Sequence, residues 1–200
     1  MRNEREAVRP CFHEIRFHGR GGQGVVSAAA LLALAAFEDG YESQAFPKFG
    51  SERRGAPVEA YVRISRKAIR SHNQIYTPDA VVIQDAGLLR SEPLLRGLKS
   101  GGLVILNSER RADGGNDEDR NLRWLYIPAS RIGERCLGQP LPNTALLGAL
   151  VAASGWVKLA TLEQVVASHL AGKGEEVVKA NINAVREGHR FALQEEEVDS

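Results

Sequence analysis

Stretches of the chain where apolar and polar residues alternate give way to stretches where apolar residues recur every three or four, and this switching marks the predicted elements. "HEIRFHG" reads as a strand with Ile15 and Phe17 on one face. "GVVSAAALLALAAFEDG" is apolar nearly all round and predicts a buried helix closed by Gly40. "YESQAF" is a second short strand. "VEAYVRIS" alternates without a fault, with Val58, Ala60, Val62 and Ile64 on one side and Glu59, Tyr61 and Arg63 on the other. It predicts a strand solvated on one face, a pattern common in antiparallel pairs. "DAVVIQD" and "GGLVILN" are unbroken apolar runs suited to central parallel strands, with "AGLLRSEPLLRGLKSG" a helical crossover that Pro93 kinks or divides. "LRWLYIP" is the last strand. Three helical patterns follow, "PNTALLGALVAASG", "TLEQVVASHLAG" and "EEVVKANINAVREGHRFALQ", the last with Val177, Val178, Ile182, Val185 and Phe191 near one face. Strands alternating with helices predict an α/β fold: a three-layer domain with a mostly parallel sheet and C-terminal helices.

The 200 residues, 43% of them hydrophobic, fill one core and not two. The expected division is a flexible segment 1–12, one domain over 13–193 and an acidic tail 194–200. Within the domain, Ser108–Asn121 is polar and aperiodic, a surface loop whose "DGGND" (Asp113–Asp117) lacks the ligand register of a calcium site and reads as a solvated turn. Net charge is +1, from 26 basic and 25 acidic residues, so nothing global favours nucleic acid or an anionic membrane. The longest apolar run, Val25–Phe37, is shorter than the ~20 residues of a membrane span, and the first ten residues lack a signal-peptide core. The expected location is the cytoplasm. Cys11 and Cys136 stand far apart with no C-x-x-C, too few thiolates for a cluster or structural zinc, and are expected to be free thiols. His13, His72, His169 and His189 are scattered and read as core or solvated residues; His18 is set apart because it opens the glycine run.

That run, "HGRGGQG", carries the candidate chemistry. Gly19, Gly21 and Gly24 fit G-x-G-x-x-G, and Gly22 adds a fourth glycine. In a strand-turn-helix context the first glycine serves backbone angles, the second lets phosphate oxygens approach the main chain, and the third packs helix on strand, giving a Rossmann-like arrangement. The helix beginning near Gly24 aims free N–H groups and its positive dipole end at the loop. A dinucleotide site further needs an acidic residue at the end of the second strand, ~20 positions on. That strand ends instead in Gln44, Ala45, Phe46 and Pro47, with Glu38, Asp39 and Glu42 before it or at its start. The next loop, "PKFGSERRGAP", brings Lys48, Arg53 and Arg54 to the same sheet edge. These cations suit a ligand with several phosphates, or else Glu52, Arg53 and Arg54 form salt bridges across a subunit boundary. No G-x-x-x-x-G-K-[ST], G-x-S-x-G or H-E-x-x-H motif is present.

Three segments in order, "IRFHGRGGQGVVSAAALLA", "QAFPKFGSERRGAPVEAYVRIS" and "PNTALLGAL", resemble the gamma subunit of 2-oxoacid:ferredoxin oxidoreductases, the pyruvate synthase group, from about Ile15 to about Phe191. "AFPKFGSERRGAPVEAYVRI" is closer to the pyruvate and branched-chain enzymes than to the 2-oxoglutarate type, with Ser51 where the group often has proline. The resemblance implies an oxidoreductase subunit, not catalytic alone, in a complex with alpha, beta and delta-type subunits. Such complexes oxidatively decarboxylate a 2-oxoacid on thiamine diphosphate, pass electrons through 4Fe–4S clusters to ferredoxin and form acyl-coenzyme A, or run in reverse to fix carbon dioxide. Thiamine diphosphate, Mg and the clusters belong to partner subunits. The resemblance further implies that Gly19, Arg20, Gly21, Gly22, Gln23 and Gly24 form a loop at coenzyme A, with Lys48, Arg53 and Arg54 as phosphate or interface residues. Asn143 and Thr144 open a helix and either cap it or touch a partner, with capping preferred. The alternative from the glycine motif alone is a free-standing nicotinamide- or flavin-binding oxidoreductase.

Overall fold

The computed structural model describes residues 12–48, 55–71, 73–109 and 121–198. β1 (Phe12–Arg20) runs into α1 (Val25–Glu38), followed by β2 (Glu42–Pro47), β3 (Pro57–Ser65), β4 (Ala80–Ile83), β5 (Leu103–Asn107) and β6 (Arg123–Ile127). Then come α2 (Ala129–Leu137), α3 (Asn143–Ser154), α4 (Leu159–Leu170) and α5 (Glu175–Val198), the last continuing into the acidic run at 194–200. The six strands form one sheet in the order β2-β3-β1-β4-β5-β6. β1, β4, β5 and β6 are parallel, while β3 runs antiparallel to both β1 and β2. This is the mostly parallel α/β sheet that the patterns predict.

Register turns alternation into a core. Ile15 lies opposite Val62 and Ala80, and Phe17 opposite Ala60 and Val82, so the apolar alternates of three strands form rows on one face. Those rows, with Leu103 and Ile105, are buried beneath Leu32 of α1, Leu146 and Leu150 of α3 and Val185 of α5. Each such aliphatic burial stabilises by about 1.5–3 kcal/mol. Gly148 and Gly188 allow α3 and α5 to approach closely: a methyl at either would overlap a facing carbonyl, that of Val185 or Ala145. Asp39, just past α1, accepts from the Lys158 N–H (2.7 Å) and the Thr161 hydroxyl (2.6 Å), fastening α4 to the end of α1.

The opposite face is covered by irregular chain. After β4 the expected helical crossover is only a 3-10 turn, Ala86–Arg90, opened by Asp85 accepting from the Gly87 N–H at 2.9 Å. Pro93 lacks an N–H and disfavours helical angles at Glu92, and Gly97 is left-handed at φ 78°, so the turn does not propagate. Leu88 and Leu94 still pack on Val81, Ile83, Val104 and Leu106. The expectation that β3 is solvated on one face also needs correction: Tyr61 and Arg63 are each 2% exposed. Carbonyl oxygens of the covering segments meet the cations. Arg63 Nη2 donates to Asn73 O (2.7 Å) and its Nε to Glu14 Oε1 (2.9 Å); Arg16 Nη2 donates to Leu94 O (2.6 Å) and Arg96 O (2.8 Å). A guanidinium's five donors make it suited to such burial. α2 is an element the sequence patterns did not predict. Asn107 Oδ1 accepts from the Ser130 N–H (3.0 Å) at its start, and Gly133 at its centre leaves room for the Leu141 carbonyl.

Candidate functional site

β1 leaves the sheet at Arg20, and the Gly21–Gly24 turn feeds α1. The glycines divide their work differently from the order the motif predicts. Gly19 has ordinary strand angles and serves close packing: a Cβ there would stand 2.6 Å from Val25 Cγ2, 2.9 Å from Gln23 Oε1 and 3.1 Å from Gln84 Cβ. Gly22 (φ 100°) and Gly24 (φ 75°) supply the left-handed angles that other residues adopt at a cost. Gly21 is strapped to the start of β3, its N–H donating to Ala56 O (2.9 Å) and its carbonyl accepting from the Gly55 N–H (3.2 Å). Gln23 closes the turn from within, its Oε1 accepting from the Arg20 N–H at 2.7 Å.

Two helix N-termini meet here. Neither α1 nor α3 has a side-chain cap or an acidic residue in its first turn, so the positive end of each dipole is unopposed. A Cβ on Gly24 would stand 2.5 Å from Asn143 Nδ2, which places the two starts side by side. Capping by Asn143 or Thr144 is not realised: Pro142 holds the cap position, Asn143 turns to Gly24, and Thr144 is buried.

Arg20 is the cation at the rim among the described residues. Arg20 Nε pairs with Asp85 Oδ2 at 2.9 Å, and its Nη1 donates to Gly55 O at 3.2 Å. Lys48, after β2, pairs instead with Glu59 Oε2 at 3.1 Å, on the face of the sheet that carries His18. The Arg20 side chain is partly exposed, and such pairs are worth about 0–1 kcal/mol, so it can turn to an anionic ligand at little cost. Arg53 and Arg54 lie outside the described residues, as do Cys11, His72 and "DGGND". His18 is not at the ligand face. It lies on the opposite side of the sheet, 6% exposed, and burial pushes its imidazole down to about 4, with Glu59 opposing and Arg16 and Lys48 assisting. It is therefore a neutral, buried base at neutral pH.

Topology fixes where a ligand would lie. β1 connects to β2 on one side of the sheet and has β4 as its neighbour on the other, so the crevice lies outside the carboxyl ends of β1 and β4. Gln84 and Asp85, following β4, line it. Sequence reading missed both, although the break of "VVI" into "QD" marks a strand end. β3 separates β1 from β2, so the strand that carries the ribose acid of a dinucleotide fold does not adjoin the glycine turn. Among the described residues no three His, Cys, Asp or Glu side chains converge as a metal site, and no helix is long and apolar enough to cross a membrane.

Comparison with known proteins places this geometry in a family. Residues 14–191 match the family described as pyruvate ferredoxin/flavodoxin oxidoreductase. The pyruvate/ketoisovalerate oxidoreductases common subunit gamma of Thermococcus litoralis is 46% identical over 176 residues, 87% of this chain and 94% of that protein. The pyruvate synthase subunit PorC of Methanothermobacter marburgensis is 47% identical over 160 residues, covering 80% of this chain and 88% of that protein. The crystal structure of pyruvate oxidoreductase subunit PORC from Thermotoga maritima superposes with a TM-score of 0.75 at 34% identity, covering 90% of this chain and 96% of that one. The chain thus belongs to the pyruvate ferredoxin/flavodoxin oxidoreductase family, among its gamma subunits.

Proposed function

We propose that this chain serves a cytoplasmic, multisubunit 2-oxoacid:ferredoxin oxidoreductase that converts a 2-oxoacid and coenzyme A to acyl-coenzyme A, carbon dioxide and reduced ferredoxin, or runs in reverse, and that its glycine turn contacts the coenzyme A. The observation that carries this reading is the meeting of two uncapped helix N-termini at a left-handed glycine turn. Such a site suits phosphate oxygens, and Arg20 at the rim suits a further phosphate of coenzyme A. The chain binds and orients the ligand. Thiamine diphosphate with Mg supplies carbanion chemistry and the 4Fe–4S clusters carry electrons; both are assigned to alpha, beta and delta-type partners, since two cysteines in the whole chain cannot hold a cluster. Relatives named as common to pyruvate and ketoisovalerate enzymes favour those oxoacids over 2-oxoglutarate, and a shared subunit leaves substrate choice to other chains.

The test is purification of the tagged chain from its native host with its partners, followed by kinetics of a Gly22→Ala variant. No atom lies within 4 Å of a Cβ at Gly22, so the methyl enters open space over the turn and meets only the backbone penalty of its left-handed angle. The KM for coenzyme A should rise about tenfold, an effect of about 1.4 kcal/mol, with the KM for pyruvate unchanged. Recovery of the chain as a lone monomer, or an unchanged KM for coenzyme A, contradicts the proposal.

A further inference from the structure

Two buried side chains beside the glycine turn, one beneath Gly19 and one at the start of α3, hold polar atoms without a hydrogen-bond partner among the described residues. Gln84 is wholly buried, and neither its Oε1 nor its Nε2 has a hydrogen-bond partner; Thr144, 1% exposed, has its Oγ1 in the same condition. Strand alternation settles which way Gln84 faces. Ala80 and Val82 join the core under α1 and α3, while Val81 and Ile83 join the opposite cluster, so Gln84 falls on the helix side. Its Cβ approaches within 3.1 Å of where a Cβ would stand on Gly19, directly beneath the turn. Thr144 follows Asn143, whose amide abuts Gly24, so it belongs to the start of α3 at the same place. Burying an amide and a hydroxyl without partners costs free energy, and a site with only packing to do is served better by leucine and valine, their near isosteres. Here the cost falls at one spot, the crevice where β1 and β4 end between two helix N-termini.

We propose that Gln84 and Thr144 are ligand-contacting residues of the glycine-turn site, receiving the amide- and hydroxyl-bearing arm of coenzyme A, while the helix N-termini and Arg20 take its phosphates. This rests on the reading of the turn as a coenzyme A site. The division follows from the chemistry of the groups. A phosphate calls for donors and positive charge, and the lone pairs of Gln84 Oε1 repel it; a neutral arm with amides and a hydroxyl offers the donors and acceptors that Gln84 and Thr144 lack. Gln23 stands over Gln84, its Oε1 converging on the same point above Gly19, and its swing away from the Arg20 N–H opens the path.

The experiment uses the intact complex carrying Gln84→Leu, Thr144→Val, Thr144→Ser or Gly22→Ala in this chain. The readouts are KM for coenzyme A and for pyruvate, inhibition by adenosine 3′,5′-bisphosphate as the nucleotide half alone, and the unfolding midpoint. Gln84→Leu and Thr144→Val should raise the unfolding midpoint and raise the KM for coenzyme A about tenfold, leaving inhibition by the bisphosphate and the KM for pyruvate unchanged; Thr144→Ser should restore the wild-type KM. An unchanged KM for coenzyme A in both apolar variants, with Gly22→Ala still impaired, overturns this proposal alone. Unchanged values in all variants, Gly22→Ala included, overturn the coenzyme A reading beneath it as well. Weakened bisphosphate inhibition in the apolar variants assigns the pair to phosphate and refutes the division. Should Gln84→Leu fail to assemble, Thr144→Val decides by the same criteria.

Discussion

His18 gives the fold a pH dependence whose sign and size follow from its place in the sheet. The residue sits opposite Glu59 in the β1–β3 ladder, 6% exposed, with Nε2 unpartnered. Burial depresses its pKa from 6.5 to about 4. A base whose folded pKa lies below its unfolded one is held neutral by the fold. Its contribution is complete above pH 6.5, erodes as the unfolded chain takes up a proton first, and is gone near pH 4. At about 1.4 kcal/mol per pH unit, the stabilisation lost across that window is about 3 kcal/mol. The perturbation is His18→Gln, which does not titrate there, and the assay is urea unfolding of both proteins at half-unit steps from pH 7 to pH 4. Burial also depresses His13 and His189, and they steepen both curves equally, so the difference between the curves isolates His18. The variant should lose about 3 kcal/mol less than wild type between pH 7 and pH 4. Equal losses over that interval would refute the assignment of His18 as a buried neutral base.

Other consequences are as definite. Gly148→Ala and Gly188→Ala each force a methyl into a carbonyl across the α3–α5 contact and should destabilise by about 1–3 kcal/mol, seen as a fall in the thermal midpoint. Arg63→Met leaves the Glu14 carboxylate and the Asn73 carbonyl without their buried donor and should cost about 3–5 kcal/mol by urea unfolding; Arg63→Lys, unable to reproduce the fork, should recover little of it. Asp39→Ala removes two acceptors at the α1–α4 junction and should cost about 1–3 kcal/mol, with amide exchange accelerated first in α4.

What was legible in the sequence was local. Alternation found β1 and β3, apolar runs found β4 and β5, and the all-apolar stretch found α1, because each signal is written within one element. The glycine turn was legible as a turn between strand and helix. Its division of labour was not, since Gly19 is required by Val25, Gln23 and Gln84 arriving from three directions, and only Gly22 and Gly24 by their own dihedrals. The polar face of β3 looked solvated because the carbonyls that bury Arg63 come from Ser71, Asn73 and Gln74, in a stretch with no pattern of its own. α2 escaped notice, although its apolar and polar positions segregate at helical spacing, because it spans only nine residues and opens on Pro128 with no side-chain cap. The reading of Asn143 and Thr144 as caps failed on Pro142, which already occupies the cap position. Gln84 was invisible as a candidate site residue because a polar residue just past a strand's end gains meaning only when its neighbours in the sheet are known.

The central claim, that the glycine turn receives coenzyme A, is tested most directly by hydrogen–deuterium exchange of the native complex with and without coenzyme A. Amides of residues 20–26, at the turn and the start of α1, and of 143–146, at the start of α3, should exchange markedly more slowly when coenzyme A is added. Unchanged exchange in both segments, under conditions where coenzyme A slows exchange elsewhere in the complex, would contradict it.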